Sequence, residues 1–362
     1  MAEVRQNVLF LTTPGTYVAR DHLTLAVEVP VYPEALAPEE RTKERATGRR
    51  KLALPIHHVE SICAFGHEIS VSPMALDLCW EHGVAVNYLG EFGRLRARVT
   101  GVADTSVLLR RAQFRAADKA AACTHISRQI IAGKLQNSRN SILRAARENA
   151  DEGESGRLVS AAEAIARHIF CLAVATETAS LRGLEGAAAA EYFGVFSLML
   201  KQQREHFAFA ARSRRPPRDR INCLLSFLYA MVRHDAVSAL TAVGLDPFVG
   251  FLHTERPNRP ALALDLIEEF RPWLADRLAL TLVNRQQVGP GDFNVRPGGA
   301  VELTDAGRKR VLQAWQDRKR ETVRHPLLDQ NLEVGQLIFT QARILARHLR
   351  GDIPAYVPFI PK

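Results

Sequence analysis

Between Gly90 and Gly101 the chain changes character. Before that point it offers short runs of β-branched and large apolar residues: Val8 to Leu11, His22 to Val29, Val59 to Ala64 and Val84 to Tyr88. Turn formers such as Pro14-Gly15 and Gly66 separate several of them. Glu68 to Ser72 alternates like a half-buried strand, and Pro73 to His82 reads as one short helix. A charged insert, Pro33 to Lys51, ends in Ala-Thr-Gly-Arg-Arg-Lys and is expected to be a loop. After Gly101 the chain is rich in Ala, Leu and Arg. Helical periodicity runs through Thr105 to Gly133, Leu135 to Asn149 and Leu158 to Leu172, with Asp151 to Gly156 expected as a turn and a break near Ser180. Strands gathered first and helices after imply an α+β chain rather than an alternating α/β one. The expected architecture is a small, sandwich-like β-rich domain over residues 1–95, followed by a larger all-α domain over 96–362.

The formal net charge is +9 at pH 7, which points to a polyanionic partner, nucleic acid first. Five cysteines, odd in number and without a CxxC pair, read as reduced thiols rather than a zinc site or a disulfide framework. No signal-peptide pattern and no apolar run of about 20 residues is visible, so a cytoplasmic chain is expected.

The stretch Gly244 to Pro272 reads GLDPFVGFLHTERPNRPALALDLIEEFRP. His253 ends an apolar run, and beyond a Pro/Arg loop a helical pattern opens on Asp265. There Asp265 lies three residues before Glu268 and four before Glu269, so the acids are expected on one face. Arg271 is placed to pair with an acid one turn away on the same helix. Buried carboxylates beside a histidine are costly unless they hold a metal, share protons or pair with arginine. By residue type alone, a core histidine beside a solvated amphipathic helix fits as well.

Two further patches stand out. Arg182-Gly-Leu-Glu185-Gly186 is expected at the entry of a helix carrying Tyr192, Phe193 and Phe196, and a surface glutamate at a helix N-terminus would look the same. Lys201 to Arg220 holds seven Lys or Arg against two acids. Its arginines suit phosphate positioning rather than base reading, because no recognition helix is in sight. Arg182, Arg212, Arg214, Arg215, Arg218 and Arg220 are the candidate nucleic-acid contacts. Further on, Asn222 to Val232 reads as a buried helix, Phe293 to Leu303 as a small ribbon, Asp305 to Arg324 and Leu332 to Leu349 as helices. A proline-spaced tail (Pro354, Pro358, Pro361) is expected to be extended and to suit docking on a partner.

These motifs resemble the signature of the CRISPR-associated integrase, the endonuclease that inserts new spacers into CRISPR arrays. The resemblance rests on Gly244-Leu-Asp-Pro247, Gly250-Phe-Leu-His253, Leu262 with Asp265, Glu268 and Arg271-Pro272, the Glu185-Gly186 segment, and Arg214 to Pro217 with Asp219 and Asn222. It covers nearly the whole chain. It implies that Glu185, His253 and Glu268 hold Mg²⁺ or Mn²⁺, with Asp265 orienting a ligand or serving a second ion. The implied reaction is transesterification of a DNA 3′-hydroxyl onto repeat DNA, with cleavage of branched DNA by the reverse reaction. The implied assembly is a homodimer, with the β-rich domain as its dimerisation element. A small companion protein would bridge two dimers, and in some systems an iron–sulfur nuclease would trim incoming DNA. A non-catalytic DNA-binding scaffold and a branched-DNA repair nuclease are the competing readings.

Overall fold

The computed structural model describes residues 8–33, 45–66, 68–90, 95–101, 107–213 and 215–361. The chain divides into two units, Met1–Asp104 and Thr105–Lys362. The first is strand-rich. Strands β1 (Val8–Leu11), β5 (Ser61–Phe65), β7 (Ala85–Leu89) and β8 (Leu95–Val99) form one four-stranded sheet in the order β1-β5-β7-β8. The first three are parallel, and β8 closes the edge antiparallel to β7, which carries this unit beyond residue 95. Strands β2 (Tyr17–Asp21), β3 (Thr24–Val31), β4 (Gly48–Pro55) and β6 (Ser70–Val71) form the second sheet, ordered β4-β3-β2-β6. Both sheets and helix α1 (Pro73–Glu81) feed one apolar core, including Val18, Leu25, Ile62, Leu78 and Val86.

Gly48 to Lys51, expected as a loop end, is the start of β4 and pairs with β3. Its residues are exposed, so no hydrophobic alternation marks it; backbone pairing fixes the strand, with Arg49 and Lys51 both reaching Glu28 of β3. The rest of the insert, residues 34–44, lies outside the described residues.

The second unit is helical: α2 (Val107–Ala117), α3 (Ala120–Arg147), α4 (Glu152–Leu172), α5 (Thr178–Gly194), α6 (Arg220–Val243), α7 (Ala261–Leu266), α8 (Arg277–Asn284), α9 (Asp305–Arg320) and α10 (Val334–Arg350). Two small antiparallel ribbons interrupt it, β9 (Phe293–Val295) with β10 (Val301–Leu303), and β11 (Thr322–Arg324) with β12 (Asn331–Glu333). The Asp-Glu-Gly-Glu-Ser-Gly segment is the opening of α4 rather than a turn. The Asp151 carboxylate caps it, accepting from the Glu154 N–H at 2.8 Å, and Glu152 and Glu154 favour the positive helix end. α6 has the length and apolarity of a membrane-crossing helix, yet most of it is buried in this unit against α7, α8 and α10.

α3 packs along α4 and α5, and a π-helical segment, Arg271–Asp276, lies against α3, α6 and α8. The C-terminal tail docks on this same unit instead of awaiting a partner. Phe359 is fully buried, stacked on Phe270 with centroids 5.6 Å apart and edge-on to Trp273 at 5.0 Å. Gly133 on α3 makes room for it, since a Cβ there would stand 2.7 Å from Pro358 Cβ.

Candidate active site

The loop after α6 is built before its histidine can be placed. Gln113 of α2, fully buried, donates to the carbonyls of Asp246 and Val249 and accepts from the Asp246 N–H, each at 2.8 Å. Gly250 lets the loop press onto α7: a Cβ would lie 2.7 Å from Asp265 Oδ2 and 2.8 Å from the Ala261 carbonyl carbon. Asp265, fully buried, then gathers the loop's backbone. Its Oδ2 accepts from the N–H groups of Phe251 at 2.7 Å and Leu252 at 3.0 Å, and its Oδ1 from that of His253 at 2.9 Å. The same Oδ1 lies 2.7 Å from His253 Nδ1. A carboxylate can only accept, so neutral His253 carries its proton on Nδ1 and its lone pair on Nε2. Asp265 therefore stands behind the histidine, with both oxygens committed to holding it.

His253 Nε2 faces Glu268, 3.8 Å from Oε1. Glu268 follows α7 in the turn leading to the π-helical segment, is 2 % exposed, and touches three cationic or imidazole groups. Arg271 Nη2 lies 3.1 Å from Oε1, and Lys134 Nζ of α3 lies 2.6 Å from Oε2. Burial alone would raise this carboxyl. Arg271 and Lys134 outweigh it and hold Glu268 below the ordinary carboxylate range. Lys134 also pairs with Glu185 Oε1, so one ammonium bridges a carboxylate of α5 and one from the turn after α7. Glu185 sits two turns inside α5 rather than at its entry, so it is no helix-end cap.

Arg271 is itself anchored. Its guanidinium lies 4.9 Å from the Tyr229 ring centroid, and that of Arg212 lies 5.3 Å from the same ring. Tyr229 donates to Asp276 at 2.6 Å and Tyr192 donates to it at 3.1 Å. Burial pushes Asp276 up to about 6 despite both donors. A narrow pocket of about 30 Å³, room for about one water, lies beside these groups and is lined by Lys134, Glu185, Tyr192, Arg212, Tyr229 and Arg271.

Glu185, His253 and Glu268 thus meet, and Asp265 supports them. Glu269, expected on the same face, points away and binds the tail, because the helix does not continue regularly past Leu266. The arginines sort by role. Arg182 donates from Nε to the Leu252 carbonyl at 2.9 Å, tying α5 to the histidine loop. Arg212 donates to Asn222 Oδ1 at 2.6 Å and Ser226 Oγ at 3.2 Å. Arg220 donates to the His206 carbonyl at 2.8 Å. Arg215 and Arg218 are exposed, and Arg214 lies outside the described residues.

Sequence reasoning missed Lys134 and Tyr229. Lys134 leaves one trace: it is a lysine between the buried Gly133 and Leu135 on a helix, which demands an acidic partner. As placed, no three His, Cys, Asp or Glu side chains among the described residues already frame an ion. The donor chemistry nonetheless fits one: two carboxylates that already grip a cation, with an imidazole lone pair facing one of them, suit Mg²⁺ or Mn²⁺.

Comparison with known proteins places this geometry in a family. The model of the family described as "CRISPR associated protein Cas1" matches residues 9–317. A CRISPR-associated endonuclease Cas1 of Moorella thermoacetica is 43% identical over 354 residues, covering 98% of both chains. One from Rhodospirillum rubrum is 44% identical over 360 residues, again covering 98% of each. A Geobacter sulfurreducens protein described as a CRISPR-associated exonuclease Cas4/endonuclease Cas1 fusion is 34% identical, covering 100% of this chain and 61% of the relative. Among solved structures, a casposase bound to integration product has the same fold, with a TM-score of 0.81 at 21% identity and 97% and 93% coverage. A chain of a Cas6-RT-Cas1–Cas2 complex aligns with a TM-score of 0.77 at 22% identity, covering 100% of this chain and 37% of that one.

Proposed function

Because the chain belongs to the CRISPR-associated Cas1 family, we propose that it is a metal-dependent DNA endonuclease and integrase. On this reading it joins a DNA 3′-hydroxyl to repeat DNA by transesterification during spacer acquisition and cleaves branched DNA by the reverse reaction. The observation that carries the reading is that one ammonium bridges Glu185 and Glu268 while His253 Nε2 faces Glu268. Relatives named endonucleases at over 40% identity support the reaction class.

In this reading Glu185, Glu268 and His253 would hold Mg²⁺ or Mn²⁺, and the ion would supply Lewis-acid polarisation of a phosphodiester oxygen and ease deprotonation of the attacking hydroxyl or water. Asp265 keeps the histidine in the tautomer whose Nε2 is free to bind. Arg271, fixed over Tyr229 beside Glu268, supplies fixed positive charge where a pentavalent phosphorane carries extra negative charge. Arg215 and Arg218, exposed near the start of α6, suit backbone phosphates. The dimer formed through the β-rich unit, a Cas2-type companion as in the complex of that title, a Cas4-type nuclease as in the fusion relative, and action in the cytoplasm belong to the same proposal.

The test is a branched DNA mimicking a half-integrated spacer, incubated with the purified protein in Mn²⁺, in EDTA, and with Glu185→Ala and His253→Ala. Strand transfer or release that needs Mn²⁺ and is lost in both variants supports the proposal. An inactive parent protein, even with its companion added, favours a DNA-binding scaffold.

A further inference from the structure

Lys134 is the one cation of the site that no assigned role explains. Arg271 balances Glu268 from a fixed seat against Tyr229. Lys134 instead reaches in from α3 on a flexible four-carbon stem, its side chain 13% exposed, and bridges the two carboxylates just assigned to the ion. Its ammonium therefore stands where positive charge is needed when no ion is present. With Asp265 behind His253, three carboxylates stand against Lys134 and Arg271, a net charge of −1. A divalent ion added to that set turns it to +1 in a largely buried space. Balance returns if Lys134 withdraws from the carboxylates, and an entering phosphodiester gives the freed ammonium a new partner. Glu185 is 28% exposed, so the ammonium can withdraw towards solvent, and Arg212 and Arg271 on the wall of the adjoining narrow pocket offer positive charge to a phosphate at its mouth.

Resting on the function proposed above, we propose that Lys134 is the resident cation of the site. It bridges Glu185 and Glu268 in the ion-free protein and transfers to a DNA phosphate when the ion enters. Ion binding and DNA binding are thereby coupled, each easing the other. Lys134 acts as a positioning residue that keeps the ligand pair together and the site closed to an unproductive ion.

The test measures Mn²⁺ affinity of the full-length protein by the spectroscopic signal of free Mn²⁺, with and without saturating branched DNA. In the wild type, DNA tightens Mn²⁺ binding on the order of tenfold. Lys134→Met binds Mn²⁺ on the order of tenfold tighter than wild type without DNA and gains little more when DNA is added. Lys134→Arg, which keeps the charge, does not tighten. A second readout is thermal: in EDTA Lys134→Met melts below wild type, because two carboxylates lose their shared partner, and Mn²⁺ raises its Tm by more. Should the Met variant fail to fold, Lys134→Gln carries the same comparison. Wild-type affinity in the Lys134→Met protein, or a wild type whose Mn²⁺ binding ignores DNA, overturns the role of Lys134 alone. Mn²⁺ binding that Glu185→Ala leaves unchanged would instead sink the assignment of the site on which it rests.

Discussion

Glu268 and Glu269 are neighbours in the chain, 2 % and 0 % exposed, and face opposite surroundings. Glu268 looks towards Arg271, Lys134 and His253, and the two cations hold its carboxyl below the ordinary range despite burial. Glu269 looks towards the tail. Its Oε1 accepts from Tyr356 Oη at 2.6 Å and Gln341 Nε2 at 3.1 Å, and its Oε2 from the Phe359 N–H at 2.8 Å. Those donors are neutral, burial wins, and the carboxyl is pushed up to about 7. Burial therefore does not decide what a buried acid does; the charge of its partners does. The cation-lined side keeps its carboxylate charged, and the neutral side uses the same residue type as a structural clamp.

The sharpest way to break this contrast is to exchange both acids for amides. Glu268→Gln should lower strand-transfer activity by about 10³-fold or more, the scale of removing one group that organises transition-state charge. Glu269→Gln should keep activity per folded molecule within about tenfold while losing about 1–3 kcal/mol of stability, because its amide nitrogen must meet one of three donors. Equal activity losses in single-turnover assays would erase the distinction. The clamp side is sharpened next by Phe359→Ala. Removing a ring packed on Phe270 and Trp273 should cost about 3–5 kcal/mol in denaturant unfolding. A loss below about 1 kcal/mol would mean that the tail does not hold this segment.

A third prediction tests the same burial rule away from the ligands. Asp276 has neutral tyrosine donors on both oxygens and is pushed up to about 6. A carboxyl whose folded value is raised contributes stability that is fully present below about pH 4 and lost as the pH rises through about 6. Asp276→Asn does not titrate, so its stability relative to wild type should improve by up to about 3 kcal/mol between those pH values. Denaturant melts at four or five pH values would show this, and a constant difference would contradict it.

The two faces also differ in how far they could be read from the chain. Gly250, His253, Asp265 and Glu268 lie close together in sequence, so their spacing can carry a family resemblance that the residue types alone do not. The change in residue pattern near Gly101 likewise made the strand-rich start and helical remainder readable. Lys134 reaches Glu185 and Glu268 from another helix, and no local pattern records that meeting. The tail's docking was hidden for the same reason: Phe359 meets Phe270 only through the tertiary fold. β4 was missed because an exposed strand has no buried face to impose alternation. The start of α4 was missed because acids and glycines resemble a turn until Asp151 is seen capping a helix.

The measurement that bears most directly on the account is anomalous diffraction from crystals of the protein grown with branched DNA and Mn²⁺. The account predicts one strong manganese peak within bonding distance of Glu185, Glu268 and His253 Nε2, with the Lys134 ammonium displaced from the two carboxylates. A bound DNA with Lys134 still bridging those carboxylates and manganese elsewhere would contradict it.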